Sequence, residues 1–339
     1  MTEDEKYIFK CFELAKNALG DVSPNPYVGS IITKNKKIIS QGYHKASGMP
    51  HAEAMALELA SEKLDGATLY CNLEPCCHTN KKTPPCAQRI IKSGIKRVVI
   101  SNLDPNPEVA GKGVELLRNA GIEVLTSILE DKGELLNEVF FTNMRQKRAF
   151  IHLKWAQTLD GSLACDNGSS KWITNELARN YVHQERSLYD AILVGAETAR
   201  KDNPKLTIRL KNKTEHSKAR IILSQSKKLN SSLNILSDEF KEQTIIVSNF
   251  NELQELFDKG IKSLYVEGGA QTLSTFLEQG YYDRISAYIA PKILGSGKKI
   301  QLSKKAASIK EALILKKPHI TQFHDNILFE SQRNLCLQG

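Results

Sequence analysis

No apolar run in the 339 residues approaches the roughly 20 residues a membrane helix needs, so no spanning helix is expected. An export leader is not expected either. The opening MTEDEKYIFK is acidic and has no apolar stretch before a small-residue cleavage site. Cysteine is scarce and odd in number, seven in all, and four cluster at Cys71, Cys76, Cys77 and Cys86. That is not a spread disulfide framework. It suits reduced thiols in a cytoplasmic protein, gathered around a metal or a reactive centre. The sequence also has no Cys-x-x-Cys pair, no internal repeat and, in its second half, no Gly-x-Gly-x-x-Gly fingerprint of a conventional Rossmann site.

The length points to two domains, and 41% hydrophobic with 25% charged residues is the balance of a soluble globular protein. The net charge of +9 is unevenly spread. Residues 1–146 hold 18 basic and 18 acidic side chains, whereas 147–339 hold 29 and 20. The basic excess of the second half suits an anionic small molecule or RNA, and charge alone does not choose between them.

Thr2 and Glu5 have capping-box spacing, and Ile8, Phe12, Ala15 and Leu19 continue a helical period that Gly20 ends. Strands are predicted near 27–33 and 37–43, and a helix over 51–62. Strands and helices then alternate: 67–71, helix 86–93, 97–101, helix 112–120 and 122–126. One long helix, 130–146, closes the first domain. The second domain repeats the alternation, with strands at 150–156, 191–194, 220–223, 244–247, 263–267 and 284–290. Its helices are predicted over 175–188, 251–258 and 270–279. The segment 211–218 reads as a surface loop, 326–330 as the last strand and the remainder as a loose tail. Such alternation predicts an α/β fold with largely parallel sheets in two domains, 1–146 and 147–339.

The chemistry concentrates in the first half. His51-Ala52-Glu53 sits where a helix starts, and Glu74-Pro75-Cys76-Cys77-His78 and Thr83-Pro84-Pro85-Cys86 follow. Nitrogen and sulfur donors suit Zn²⁺, and three protein ligands leave a fourth position for water. Glu53 cannot share the direction of His51 on a helix but can reach a water on the same metal, as a proton carrier would. His-x-Glu followed by Pro-Cys and a later Cys is the zinc-deaminase signature. His51, Cys76 and Cys86 are the expected ligands. Cys76 is preferred to Cys77 because it directly follows Pro75, and His78 stays a further potential donor.

With Pro24–Gly29 and Asp104–Gly113 added, the first half resembles the deaminase family of riboflavin biosynthesis. The second half resembles the reductase of the same pathway, through Lys154-Trp155-Ala156, Leu159-Asp160-Gly161, Ser170–Thr174, Gly195–Arg200, Asp202–Thr207 and Val266–Gly269. Together they resemble the bifunctional deaminase–reductase family over nearly the whole chain. One departure is local. Nine residues separate Cys76 from Cys86, one more than is usual, with Cys77 in place of a serine and a glycine missing before the basic residue.

The resemblance implies a cytidine-deaminase-like three-layer domain followed by a dihydrofolate-reductase-like α/β domain. It implies hydrolytic deamination of a phosphorylated diaminopyrimidine with Zn²⁺, then reduction of its ribosyl group to ribityl with NADPH. Asn25 would orient the base and Lys82 would meet the phosphate. Ala156, Trp172, Thr198, Asp202 and Gly269 would hold the cofactor. Ser170, Arg186, Leu206, Arg209 and Glu267 would contact the substrate, and the forked guanidinium of Arg186 and Arg209 suits a phosphate. Neither a nucleic acid nor a membrane is implied as a partner, and homo-oligomerisation through the second half is the expected association. Three other readings compete: a deaminase with an inactive second half, a nucleic-acid-editing deaminase and a non-enzymatic zinc-binding regulator. The motifs of the second half, the neutral first half and Glu53 argue against them in turn.

Overall fold

The computed structural model describes residues 1–77, 85–211 and 214–333. It divides into two compact units, Met1–Lys147 and Arg148–Gly339. Among the described residues no helix is long and apolar enough to cross a membrane.

The first unit runs α1 (Glu3–Ala15), β1 (Gly29–Lys34), β2 (Lys37–Tyr43), α2 (Ala52–Glu58), β3 (Thr68–Leu73), α3 (Cys86–Lys92), β4 (Arg97–Asn102), α4 (Lys112–Asn119), β5 (Glu123–Leu125), α5 (Glu130–Leu136) and α6 (Glu138–Gln146). The capping box forms: Glu5 N donates to Thr2 Oγ1 at 3.2 Å and Thr2 N to Glu5 Oε2 at 2.8 Å. The sheet order is β2-β1-β3-β4-β5. Side chains alternate across it. Ile32, Leu69, Cys71, Val98 and Ile100 pack on α2–α4, while Ile31, Tyr70 and Val99 pack on α1. That makes three layers. The sheet is mixed, not largely parallel: β1 is antiparallel to both β2 and β3, and only the β3–β4 and β4–β5 pairs are parallel. The link between β1 and β2 is too short for the crossover a parallel pair needs. The predicted helix 130–146 is two helices, because Asn137 leaves the helical region (φ −109°). Its side chain accepts from Tyr27 N and donates to Tyr27 O instead. The helix predicted over 51–62 ends at Glu58.

The second unit runs β6 (Phe150–Thr158), α7 (Glu176–Ser187), β7 (Ala191–Gly195), α8 (Ala196–Asp202), β8 (Ala219–Leu223), α9 (Asn234–Ser237), β9 (Thr244–Val247), α10 (Phe250–Asp258), β10 (Ser263–Val266), α11 (Ala270–Glu278), β11 (Arg284–Ala290), β12 (Leu315–Phe323) and β13 (Asn326–Arg333). Among the described residues its eight strands lie in the order β12-β13-β11-β6-β10-β7-β8-β9. The pairs from β11 through β9 are parallel, and β13 is antiparallel to β11 and β12. Ile151, Leu153, Leu193, Leu264 and Val266 face α10 and α11. The sequence reading missed α8, the single-turn α9 and β12. The short α8 lacks a clear helical period. The strand β12 is exposed along most of its length, so it shows no apolar alternation. The last strand also runs further than predicted, to Arg333.

Candidate active sites

Two helix starts and one loop build the first site. His51 is the N-cap of α2, so Glu53 enters the first turn and is fully buried. Cys86 opens α3, and its backbone N–H donates to Cys76 Sγ at 3.4 Å. His51 Nδ1 lies 3.6 Å from Cys76 Sγ and 3.4 Å from Cys86 Sγ, and the three donor atoms fall within 4.8 Å of one another. Zinc bound tetrahedrally at ordinary Zn–N and Zn–S lengths holds its donors about 3.5 Å apart, so this triangle fits the ion. The hydrogen bond with Cys86 is the main cause that pulls the Cys76 thiol well down, with further help from His51 and the Cys86 N–H. Burial pushes Glu53 up, against the nearby His51. Cys77 points elsewhere, with its thiol on Glu108 O at 3.8 Å. His78 and Lys82 lie outside the described residues.

Two residues that the sequence reading gave no role organise this site. Glu74 is buried and accepts three backbone N–H bonds, from Asp104 (3.1 Å), Gly111 (3.0 Å) and Val114 (3.1 Å). It therefore ties the 104–113 loop to the strand end that delivers Cys76. A Cβ on Gly113 would sit 2.3 Å from Pro75 O, which is why the first turn of α4 needs glycine there. His44 is buried and places Nδ1 3.1 Å from Pro50 O. A carbonyl only accepts, so Nδ1 carries the proton and Nε2 accepts from Asn25 Nδ2 at 3.1 Å. The Asn25 amide is thereby oriented, with its carbonyl oxygen as the group on offer. Glu74 was visible only as the first residue of the Glu-Pro-Cys motif, and His44 stands in no motif at all.

The second constellation is less compact. Glu267, at the end of β10, hydrogen-bonds Arg186 Nε and pairs with Lys154 Nζ at 3.4 Å. These side chains are 12–14% exposed. Burial pushes the Glu267 carboxyl up, but Arg186 and Lys154 outweigh it and hold it at about 2. Arg186 Nη1 also donates to Thr207 O at 2.8 Å, next to buried Leu206. Arg209 is exposed and hydrogen-bonds Thr207 Oγ1 (3.1 Å) and His183 Nε2 (3.2 Å). Of the expected cofactor residues, Thr198 Oγ1 accepts from Gly269 N at 3.2 Å, at the start of α11. Gly268 beside it could not be alanine, since a Cβ would meet Thr272 Cβ at 2.7 Å. Ala156 lies on β6, opposite Tyr288. Trp172 is 64% exposed with the Arg179 guanidinium over its ring, and Ser170 is half-buried in the same loop. Asp202, exposed, ends α8. Ser170, Trp172 and Asp202 hydrogen-bond none of the others among the described residues.

The comparisons with known proteins agree across both units. Residues 1–102 match the model of the cytidine and deoxycytidylate deaminase zinc-binding region, and residues 149–329 match that of the RibD C-terminal domain. The riboflavin biosynthesis protein RibD of Aquifex aeolicus is 44% identical, over 97% of this chain and 98% of its own. That of Escherichia coli is 35% identical over 87% and 89%. Among solved structures, Acinetobacter baumannii RibD superposes with a TM-score of 0.88 at 34% identity, covering 98% of this chain and 99% of that one. A Thermotoga maritima diaminohydroxyphosphoribosylaminopyrimidine deaminase/5-amino-6-(5-phosphoribosylamino)uracil reductase gives 0.87 at 38% identity over the same shares. The chain belongs to the RibD family of bifunctional riboflavin-biosynthesis enzymes, a zinc-dependent deaminase joined to an NADPH-dependent reductase.

Proposed function

We propose that the first unit deaminates 2,5-diamino-6-(5-phosphoribosylamino)pyrimidin-4-one and that the second reduces the ribosyl group of the product to ribityl. The observation that carries this reading is the His51–Cys76–Cys86 triangle with a buried Glu53 beside it. When bound, zinc in that triangle supplies a Lewis acid that acidifies water, and NADPH in the second unit supplies the hydride. Glu53 carries a proton on its carboxylate from the attacking water to the ring nitrogen and the departing amine. Its burial suits that task, because a raised carboxyl pKa retains the proton nearer neutrality. Asn25, oriented by His44, presents its carbonyl to the base.

In the second unit, Ala156, Trp172, Thr198, Asp202 and Gly269 hold the cofactor. Ser170, Arg186, Leu206, Arg209 and Glu267 hold the pyrimidine ribosyl phosphate. Arg209, exposed and outside the Glu267 pair, is the guanidinium best placed to meet a phosphate from solution. Lys82 keeps the phosphate role in the first unit that the family resemblance implies. Copies associate through the second unit: the end strand β12 is exposed along most of its length, with Ile320 64% and the preceding Ile314 63% exposed. Reduced thiols at every described cysteine support a cytoplasmic setting.

The test is ammonia release and NADPH oxidation in one tube containing the diaminopyrimidine ribosyl phosphate, with Glu53→Ala alongside. Both signals in the wild type and neither in the variant are expected. Ammonia without NADPH oxidation would sink the reductase half of the reading. Neither signal from zinc-loaded wild type would sink both halves.

A further inference from the structure

Directly beneath the Lys154–Glu267–Arg186 cluster lies a buried polar network that neither reaction uses. Its centre is Glu185, on α7, which is 6% exposed. Tyr265 OH donates to Glu185 Oε2 at 2.7 Å, and Tyr288 OH donates to the same oxygen. Ser286 Oγ lies 3.4 Å from Oε1 and 2.8 Å from His152 Nε2, and His152 Nδ1 lies 2.5 Å from Tyr189 OH. One proton arrangement satisfies every member. Tyr189 donates to His152, His152 to Ser286, and Ser286, Tyr265 and Tyr288 all donate to an ionised Glu185. Protonating the carboxylate forces one of these hydroxyls to turn away inside a dry interior, which is costly.

The network is stacked on the site by the period of the strands. His152 stands two residues before Lys154 on β6, and Tyr265 two before Glu267 at the end of β10. Residues two apart share a face of a sheet. Tyr265 is paired with His152, Ser286 with Lys154, and Tyr288 with Ala156. Glu185 adjoins Arg186 in sequence, and the Lys154 ammonium sits 5.6 Å from the Tyr288 ring centroid. Each partner of Glu185 thus supports a residue of the upper cluster.

We propose that Glu185 is a positioning residue of the reductase: its ionised carboxylate, through Tyr265, Tyr288 and Ser286, holds Lys154, Arg186 and Glu267 in the arrangement that receives the pyrimidine. Protonation of Glu185 therefore lowers reduction without touching deamination. The charged and titratable groups around it are Lys154 and, through Ser286, His152 on β6, Tyr181 and the adjoining Arg186 on α7, Tyr265 on β10 followed by Glu267, Tyr288 on β11 and Glu330 on β13, while Arg284 on β11 acts on Tyr181 and His152. Burial and Glu330 push the carboxyl up, while the two tyrosines and Lys154 pull it down, which leaves it at about 7. Above that pH it is ionised.

This inference rests on the reading of the second unit as a pyrimidine reductase, and the experiment separates the two. NADPH oxidation on the pre-deaminated pyrimidine is followed from pH 6 to 9 in wild type, Glu185→Gln and Tyr288→Phe. Ammonia release is measured in parallel as the control. In wild type, kcat/KM should fall about tenfold per pH unit below the Glu185 pKa, chiefly through the pyrimidine KM. In Glu185→Gln that limb should vanish, with activity at pH 8 at least tenfold lower and deamination unchanged. Tyr288→Phe keeps the ring under Lys154 but removes one donor, so its limb should move to higher pH. An unchanged limb in both variants overturns the proposal. No NADPH oxidation by wild type at any pH overturns the underlying reading instead.

Discussion

The two sites are built in opposite ways. The deaminase site is drawn together by short segments whose ends point inward: a helix N-cap, a strand end and another helix start. Its three donors stand at metal-binding separations. The reductase site spreads over more than a hundred residues of chain. Its charged centre is internally neutralised, with Glu267 between Arg186 and Lys154, while Trp172, Asp202 and Arg209, expected to serve the same reaction, are exposed. A metal site needs its ligands converged whatever the substrate does, because thiolate and imidazole must meet one ion. A cofactor cleft needs only a rigid floor, and its walls can be loops.

This contrast gives the largest expected effect. Glu53→Gln should lower ammonia release by about 10²- to 10⁴-fold. It should leave zinc content and NADPH oxidation on the pre-deaminated pyrimidine at wild-type levels. Loss of both activities would mean that the two sites are less independent than their construction indicates. Cys86→Ser probes the converged triangle itself. Zinc by elemental analysis should drop to trace levels and ammonia release with it, while NADPH oxidation persists. Retained zinc would show that Cys86 is not a ligand.

The reductase centre should respond less sharply to a single change. Glu267→Gln leaves Arg186 and Lys154 without their ionised partner in a mostly buried setting. Breaking such a pair costs about 3 kcal/mol. The pyrimidine KM should rise by one to two orders of magnitude and the second unit should lose stability, with ammonia release unchanged. An unaltered pyrimidine KM would remove Glu267 from the substrate site.

The same contrast governs what could be read from sequence. The candidate metal ligands were legible because residue type and spacing single them out: His51, Cys76 and Cys86 are few, polar and set beside Pro or a helix start, and the fold brings their donor atoms within 4.8 Å of one another. The strand–helix order of the first unit was legible from its alternation and its three layers from the family resemblance, but strand direction in β1 and β2 was not, since apolar alternation reads the same for parallel and antiparallel neighbours. Glu74 and Glu185 were invisible as functional candidates. A buried carboxylate is announced by the donors that fold around it, and those come from elsewhere in the chain: residues 104, 111 and 114 for Glu74, residues 265, 286 and 288 for Glu185. The reductase residues came from the family resemblance; by residue type alone each arginine would have passed as surface charge.

Glu74 offers a smaller and purely structural test of how the first site is held. Hydrogen bonds to a charged acceptor are worth about 1.5–3 kcal/mol each, and Gln retains one carbonyl oxygen. Glu74→Gln should therefore destabilise the first unit by about 2 kcal/mol, read as a lower urea midpoint. Hydrogen exchange should speed up at the amides of 104, 111 and 114, with zinc still bound. Unchanged protection at those amides would show that the 104–113 loop is held by other contacts.

The smallest effect separates the two roles a buried carboxylate can have, because they run in opposite directions with pH. Glu185 has a folded pKa of about 7 against an ordinary 4.5. Between these values the folded chain binds the extra proton, so this group makes the second unit less stable as pH rises through that window. Its slope cannot exceed about 1.4 kcal/mol per pH unit. Below the window the penalty is absent, and above it the penalty is complete and constant. The melting temperature of wild type minus that of Glu185→Gln should therefore fall from pH 5 to pH 7 by a few degrees, at about 2–4 °C per kcal/mol. Reductase activity should rise toward the upper end of the same window, since the ionised form is the one that holds Lys154, Arg186 and Glu267. A melting difference that is flat with pH would mean that Glu185 does not titrate there. Stability and activity rising together would mean that the network serves the fold and not the site.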